Sequence, residues 1–148
     1  DEARRTSERL RRAEARLRRA NESARIATWE IDYASGVGFW TDEAAALWGI
    51  EPGTCTIDSW IEAVHPEDRP RTLEAWRRTV EEDAPYEIEY RSRVPAPDGS
   101  ERWFLSRGLI ERDAAGRPVR ALGVFVDVSA QKRLQLALEA ADRRKDVF

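Results

Sequence analysis

Along the first 25 residues, apolar and small side chains recur every seven positions. Ala3, Leu10, Leu17 and Ala24 hold one heptad position, and Thr6, Ala13, Ala20 and Ala27 hold the second. No Pro or Gly interrupts the segment, and Arg, Glu, Ala and Leu dominate it, so it predicts a helix over 1–25. Glu8/Arg12 and Glu14/Arg18 stand at the spacing of helical ion pairs. So charged a helix has too thin an apolar face to fold alone. It needs the domain that follows, or a second copy of itself.

From residue 27 the period changes to two. Trp29, Ile31 and Tyr33 share one face and Thr28, Glu30 and Asp32 the other, which predicts a strand over 27–33. Ser35-Gly36 turns the chain into a short strand at 38–40. Thr41 caps a helix over 42–48 that stops at Gly49, followed by a turn at Glu51-Pro52-Gly53. Thr56 or Asp58 opens a short helix with Trp60, Ile61 and Val64. His65-Pro66-Glu67-Asp68 starts a longer one through about 82, with Leu73, Trp76 and Val80 as its inner stripe. Three strands follow, over 86–94, 102–112 and 119–128, joined by hairpin turns at Pro97-Asp98-Gly99-Ser100 and Asp113-Ala114-Ala115-Gly116. The last two strands are apolar on both faces, so both faces need cover. Ser129 then caps a second heptad-patterned helix over 129–148, with Leu134, Leu138, Ala141 and Phe148 on its stripe.

Strands, short helices and an antiparallel meander define an α+β class with a five-stranded antiparallel sheet and short helices on one face. The chain of 148 residues is enough for one domain that buries about two-thirds of its unfolded surface. Its net charge of -3 argues against a nucleic-acid partner, although nine arginines fall within the first 25 residues. No apolar run approaches the ~20 residues of a membrane span, so no membrane insertion is expected and the location is read as cytoplasmic. One Cys and one His exclude a disulfide framework and a multi-His metal site. There is no Met, even at position 1, which reads as either a processed product or a piece of a longer protein. No phosphate loop, acid/base pair or activated nucleophile is present, so the segment reads as non-catalytic.

Several short motifs then stand in a telling order. They are Thr28-Trp29-Glu30-Ile31-Asp32, Leu47-Trp48-Gly49, and Trp60 through Val64-His65-Pro66-Glu67-Asp68-Arg69. Glu89-Tyr90-Arg91, Pro97-Asp98-Gly99-Ser100, Arg102-Trp103 and Gly116-Arg117-Pro118 follow, and Gly123-Val124-Phe125-Val126-Asp127-Val128-Ser129 closes the series. Together they resemble the PAS domain of bacterial signalling proteins, over residues 26–130. Val94-Pro95-Ala96 lengthens one loop relative to that pattern. Asp127-Val128-Ser129 is similar to the Asp-Ile-Thr motif of that family, and residues 142–148 resemble the start of a histidine kinase dimerisation helix. The resemblance implies a leading helix (1–25), a PAS sensor (26–128) and a signalling helix (129–148). It further implies a homodimer and a parent protein with a kinase catalytic domain and a response regulator as partner. The alternatives are a ligand-free structural dimerisation module and the sensor of a diguanylate cyclase.

The candidate pocket residues are Trp29, Trp48, Trp60, Trp76, Tyr90, Ser92, Phe104, Ser106 and Phe125, with a core filled by these aromatics as the favoured state. Asp127, Ser129, Leu134, Leu138 and Ala141 are the candidate transmission residues. Leu10, Leu17, Trp103, Leu105, Leu122, Val124 and Val126 are candidates for covering the outer sheet face or a dimer contact. His65 reads as a helix-start residue. Gly53-Thr54-Cys55-Thr56 lacks the context of flavin-adduct sensors, and residues 69–82 hold no axial His. Neither flavin nor heme is therefore expected; no cofactor is assigned, and an unidentified small ligand is the alternative.

Overall fold

The computed structural model describes residues 1–48 and 53–145. The chain runs α1 (Glu2–Ala24), β1 (Ile26–Asp32), β2 (Val37–Trp40), α2 (Asp42–Trp48), β3 (Gly53–Cys55) and α3 (Ile57–Glu62). It continues through a 3₁₀ turn (Pro66–Asp68), α4 (Arg69–Glu82), β4 (Tyr86–Arg91), β5 (Trp103–Arg112), β6 (Pro118–Asp127) and α5 (Ser129–Lys145). Gly49, Glu51-Pro52, Asp146 to Phe148 and the side chain of Cys55, which figure in the sequence reading, lie outside the described residues.

The sheet is antiparallel, in the order β3-β2-β1-β6-β5-β4. The five expected strands are all present. Gly53–Cys55 adds a three-residue sixth at the edge, too short to show alternation in sequence. The first and last long strands, β1 and β6, lie side by side at the centre. This places the end of α1 next to the start of α5.

The core lies between the sheet and α2–α4. Tyr86, Ile88, Tyr90, Phe104, Ala121 and Phe125 supply its sheet side, and Trp48, Val64 and Trp76 its helical side. Two glycines make room for its largest sheet residue. Gly108 and Gly123 face one another across β5 and β6, and Trp29 is the β1 partner of Gly123. The Trp29 ring lies against both, so a Cβ on either would strike it.

The inner stripe of α4 differs from the sequence reading. Thr72, Trp76 and Thr79 are buried, whereas Leu73 is 45% exposed. Thr72 and Thr79 tolerate burial because their hydroxyls donate to Asp68 O and Ala75 O one turn back. That local bonding removes the polar penalty and hides the helix's true face from a purely apolar count. The expected Glu8/Arg12 and Glu14/Arg18 pairs are not formed; among the described residues, no ion pair involves Arg4 through Arg19.

Candidate functional site

Strand alternation on β1, β4, β5 and β6, and the helical period on α2–α4, aim the aromatic side chains into one interior volume. A cavity of about 30 Å³ remains there. Trp29, Trp48, Trp60, Trp76, Tyr90, Ser106 and Phe125 line it, as the sequence reading placed them. Trp40 and Tyr86 line it as well. Trp40 ends a strand too short to assign faces by alternation, and Tyr86 is the first residue of β4; Glu30, Ile31 and Phe39 complete the lining.

Two expected lining residues stand elsewhere. Phe104 is fully buried behind Trp48, stacked at 5.3 Å and 9°. Ser92 turns back on its own loop, donating to Val94 O at 2.9 Å and accepting from Val94 N–H at 3.1 Å. It sits past the end of β4, so strand alternation no longer governs its direction.

The rings fill most of the space themselves. Trp76 meets Tyr86 edge-on at 5.1 Å, and Trp29 and Trp60 at 6.0 and 6.2 Å. The residual volume suits about one water, an order of magnitude below the few hundred Å³ of a drug-sized ligand pocket. Burial pushes the phenols of Tyr86 and Tyr90 well above their ordinary value, with Ser106 close to both moderating the rise. Both therefore stay neutral. The indole N–H groups of Trp29 and Trp48 and the Tyr86 hydroxyl are buried without a hydrogen-bond partner. Such a lining is almost wholly apolar and offers weak polar anchoring; its one carboxylate, Glu30, is paired with Arg120 at 3.0 Å.

The second site is the junction of α1 and α5. Arg25 leaves α1 with φ of 56°, and its carbonyl accepts from Asp127 N–H at 3.1 Å. Its guanidinium donates to Asp127 Oδ2 at 2.8 and 3.2 Å. Asp127 Oδ1 accepts from Ser129 N–H at 2.9 Å. Burial alone would raise the Asp127 carboxyl, but its bonds to Ser129 and Arg25 outweigh that and hold it below the ordinary value. Ser129 is not the cap that the sequence suggests. It is the first helical residue, with Asp127 accepting from its N–H while its own hydroxyl accepts from Trp103 N–H at 2.9 Å. One carboxylate thus joins the incoming helix, the last strand and the outgoing helix.

The other transmission residues lie further along α5. Leu134 and Leu138 are 63% and 59% exposed, and Ala141 is half-buried. Leu10 and Leu17 on α1 are likewise 60% and 62% exposed, so α1 does not bury them on its own sheet. Trp103, Leu105, Leu122, Val124 and Val126 are half-buried on the outer face. His65 takes the structural position read from sequence, its Nδ1 accepting from Glu67 N–H at 3.2 Å at the start of the 3₁₀ turn. No described helix is long and apolar enough to cross a membrane.

An antiparallel sheet whose first and last long strands pair at its centre, with helices on one face and helical extensions from those two strands, defines an α+β class of domain. A family model described as the PAS fold matches residues 37–125, and the chain belongs to the PAS family. It is 26% identical over 122 residues to the sensor protein FixL of Bradyrhizobium diazoefficiens, covering 82% of this chain and 24% of that protein. It is 28% identical over 139 residues to the "Probable diguanylate cyclase DgcE" of Escherichia coli, covering 93% of this chain and 12% of that protein. A solved sensory box histidine kinase/response regulator from Burkholderia thailandensis superposes with a TM-score of 0.75 at 29% identity, covering 90% of this chain and 99% of that one. The chain spans about a quarter or less of the length of these two curated relatives. It is a PAS sensor domain of the kind found in signalling proteins.

Proposed function

We propose that this chain is the sensory and relay module of a cytoplasmic histidine kinase in two-component signalling. It acts as a parallel homodimer held by its helices and outer sheet face. A stimulus that binds two states unequally shifts the sheet or α1, and the shift re-registers α5 around Leu134, Leu138 and Ala141. Through α5 the change reaches a kinase catalytic domain and, beyond it, a response regulator. The module itself catalyses nothing and holds no cofactor.

The observation that carries this reading is the shared carboxylate of Asp127. Because it bonds both Arg25, at the exit of α1, and the first turn of α5, it is a point through which a shift of one helix can bias the other. Likeness to FixL and to the Burkholderia kinase supports a kinase output. The test is autophosphorylation of the full-length parent protein with radiolabelled ATP. Asp127→Asn is expected to change the ratio of resting to stimulated activity at least threefold. An unchanged ratio, with wild-type folding, would remove the joint from the signalling route.

A second reading keeps the same relay but ends it on a diguanylate cyclase, which the likeness to DgcE favours. Assay of the parent protein with GTP separates the two outputs. Absorbance and mass spectra of the purified chain test the absence of a cofactor. A copurifying chromophore or small molecule would overturn it.

A further inference from the structure

A second line of contacts reaches α5 on the outer face of the sheet, through side chains other than the Asp127 carboxylate, and meets the first at Ser129. It begins at Asp68, which closes the 3₁₀ turn before α4. The Asp68 carboxylate accepts three bonds from Arg91: from its backbone N–H at 2.8 Å, Nε at 3.0 Å and Nη2 at 2.9 Å. The two side chains are only 8% and 16% exposed, so solvent screens the pair weakly. Burial alone would raise the Asp68 carboxyl, but the bonds to Arg91 more than compensate and hold it below its ordinary value.

Arg91 in turn lies over Trp103, its cross-strand partner, with the guanidinium carbon 5.4 Å from the ring centroid. The same ring carries a second cation. Lys132 Nζ, from the first turn of α5, stands 4.6 Å from the centroid and donates to Glu89 at 2.9 Å. The Trp103 backbone N–H holds the Ser129 hydroxyl. Two cations on one indole repel each other; Glu89 holds Lys132, while Asp68 holds Arg91 together with the more exposed Glu67 at 2.9 Å and Glu101 at 3.3 Å. Releasing Arg91 from Asp68 therefore changes the field and the space available to Lys132.

We propose that Trp103 is a coupling residue that passes displacements of α4 to α5, through Arg91 on one side and Lys132 on the other. The input end is the cavity wall, because α4 also carries Trp76. The proposal rests on the reading of α5 as the outgoing signalling helix. Its test reads α5 directly rather than kinase output, so the two ideas fail separately.

The experiment is site-resolved hydrogen exchange of the whole chain at the amides of Lys132, Arg133 and Leu134. The Lys132 amide is bonded to Val128 O at 2.9 Å and reports the first turn of α5. Asp68→Asn, although it touches nothing in α5, is expected to speed these amides about fivefold, the lower end of typical intersite coupling. In a Trp103→Leu background the same substitution is expected to have no further effect. The proposal is overturned if Asp68→Asn leaves the α5 amides unchanged, or if its effect is equally large without the indole. Should Asp68→Asn prevent folding, Lys132→Met carries the test in the reverse direction, since coupling is reciprocal. It is expected to speed the Arg91 amide about fivefold with Trp103 present and not in the Trp103→Leu background. An Arg91 amide indifferent to Lys132→Met would equally overturn the proposal.

Discussion

The folded body and the leading helix use arginine in opposite ways. In the body, arginines from outside each helix close the C-terminal ends of all three internal helices, two of them from distant positions. Arg102 donates to Ala46 O and Leu47 O at the end of α2. Arg69 donates to Glu62 O and Val64 O at and just past the end of α3, and Arg112 to Thr79 O and Val80 O in the last turn of α4. None of these helices has a basic residue in its own last turn, so carbonyls left without intrahelical partners are met by these donors from outside the helix. On α1, by contrast, the arginines from Arg4 to Arg19 make no side-chain hydrogen bond or ion pair among the described residues, and the helix is exposed along most of its length. An arginine becomes structural where the fold presents it with a fixed acceptor. The body is therefore self-contained, and the flanks hold binding capacity that the body does not use.

The strongest way to break the body is a single methyl group. At Gly123 a Cβ would collide with Arg107 O and with the Trp29 ring. The carbonyl belongs to a paired strand and cannot yield. Gly123→Ala is expected to cost about 3 kcal/mol or more, at the upper end of overpacking effects. Urea unfolding followed by tryptophan fluorescence reads the loss as a fall in the transition midpoint.

The next largest effect separates the two arginine populations directly. Arg112→Ala strips the end of α4 of two bonds from a charged donor in a site where Arg112 is 21% exposed. A cost of about 2 kcal/mol is expected. Arg12→Ala on α1 is expected to stay within about 0.5 kcal/mol. Equal effects at the two positions would erase the distinction.

Much of this body was legible in the sequence. Alternation puts Trp29, Ile31 and Tyr33 on one face of the first strand, and the heptads mark both terminal helices. Helix ends were read through local signals, such as Thr56, whose hydroxyl does accept from Ser59 N–H in a capping box. The arginine caps were not legible, because nothing local marks Arg102 or Arg112 as the partner of a helix 30 to 60 residues earlier. The pocket was legible as a set of aromatics but not as a volume. Phe104 and Trp48 share the interior, and only their stacking shows which of them faces the cavity. Ser92 was misplaced for a related reason, since its strand ends one residue before it.

One carboxylate in the body and one at its joint with the flanks contribute to the acid limb of stability. Asp68 and Asp127 both have folded carboxyls held below their ordinary values. A depressed folded value binds protons less readily than the unfolded chain. The contribution is therefore present above about pH 4 and is lost as pH falls through the folded values. Asp127→Asn is expected to lower stability at pH 7 by about 1 kcal/mol, the scale of a lost helix cap, and to flatten part of the decline below pH 4. The pair with Arg25 adds little, because Arg25 is 63% exposed. Urea midpoints from pH 3 to pH 7 check both the size and the sign.

The smallest effect on folding is expected on α1, where the largest effect on association should lie. Leu10 and Leu17 sit one heptad apart and are mostly exposed, so Leu10→Ser with Leu17→Ser is expected to change the body's unfolding by less than about 0.5 kcal/mol. In a parallel pair of α1 helices, however, these two leucines would form the seam. Arg9 and Glu14 would then stand at flanking heptad positions where one helix faces the other with opposite charge. Burying two leucines per copy is worth several kcal/mol in total, which exceeds any gain from the surface charges. Sedimentation equilibrium is expected to show a dimer that the double substitution weakens at least tenfold while tryptophan fluorescence stays native. A wild-type chain that remains monomeric at ~100 μM would show that α1 has some other partner, and the contrast between a self-contained body and an association helix would then hold only for the body.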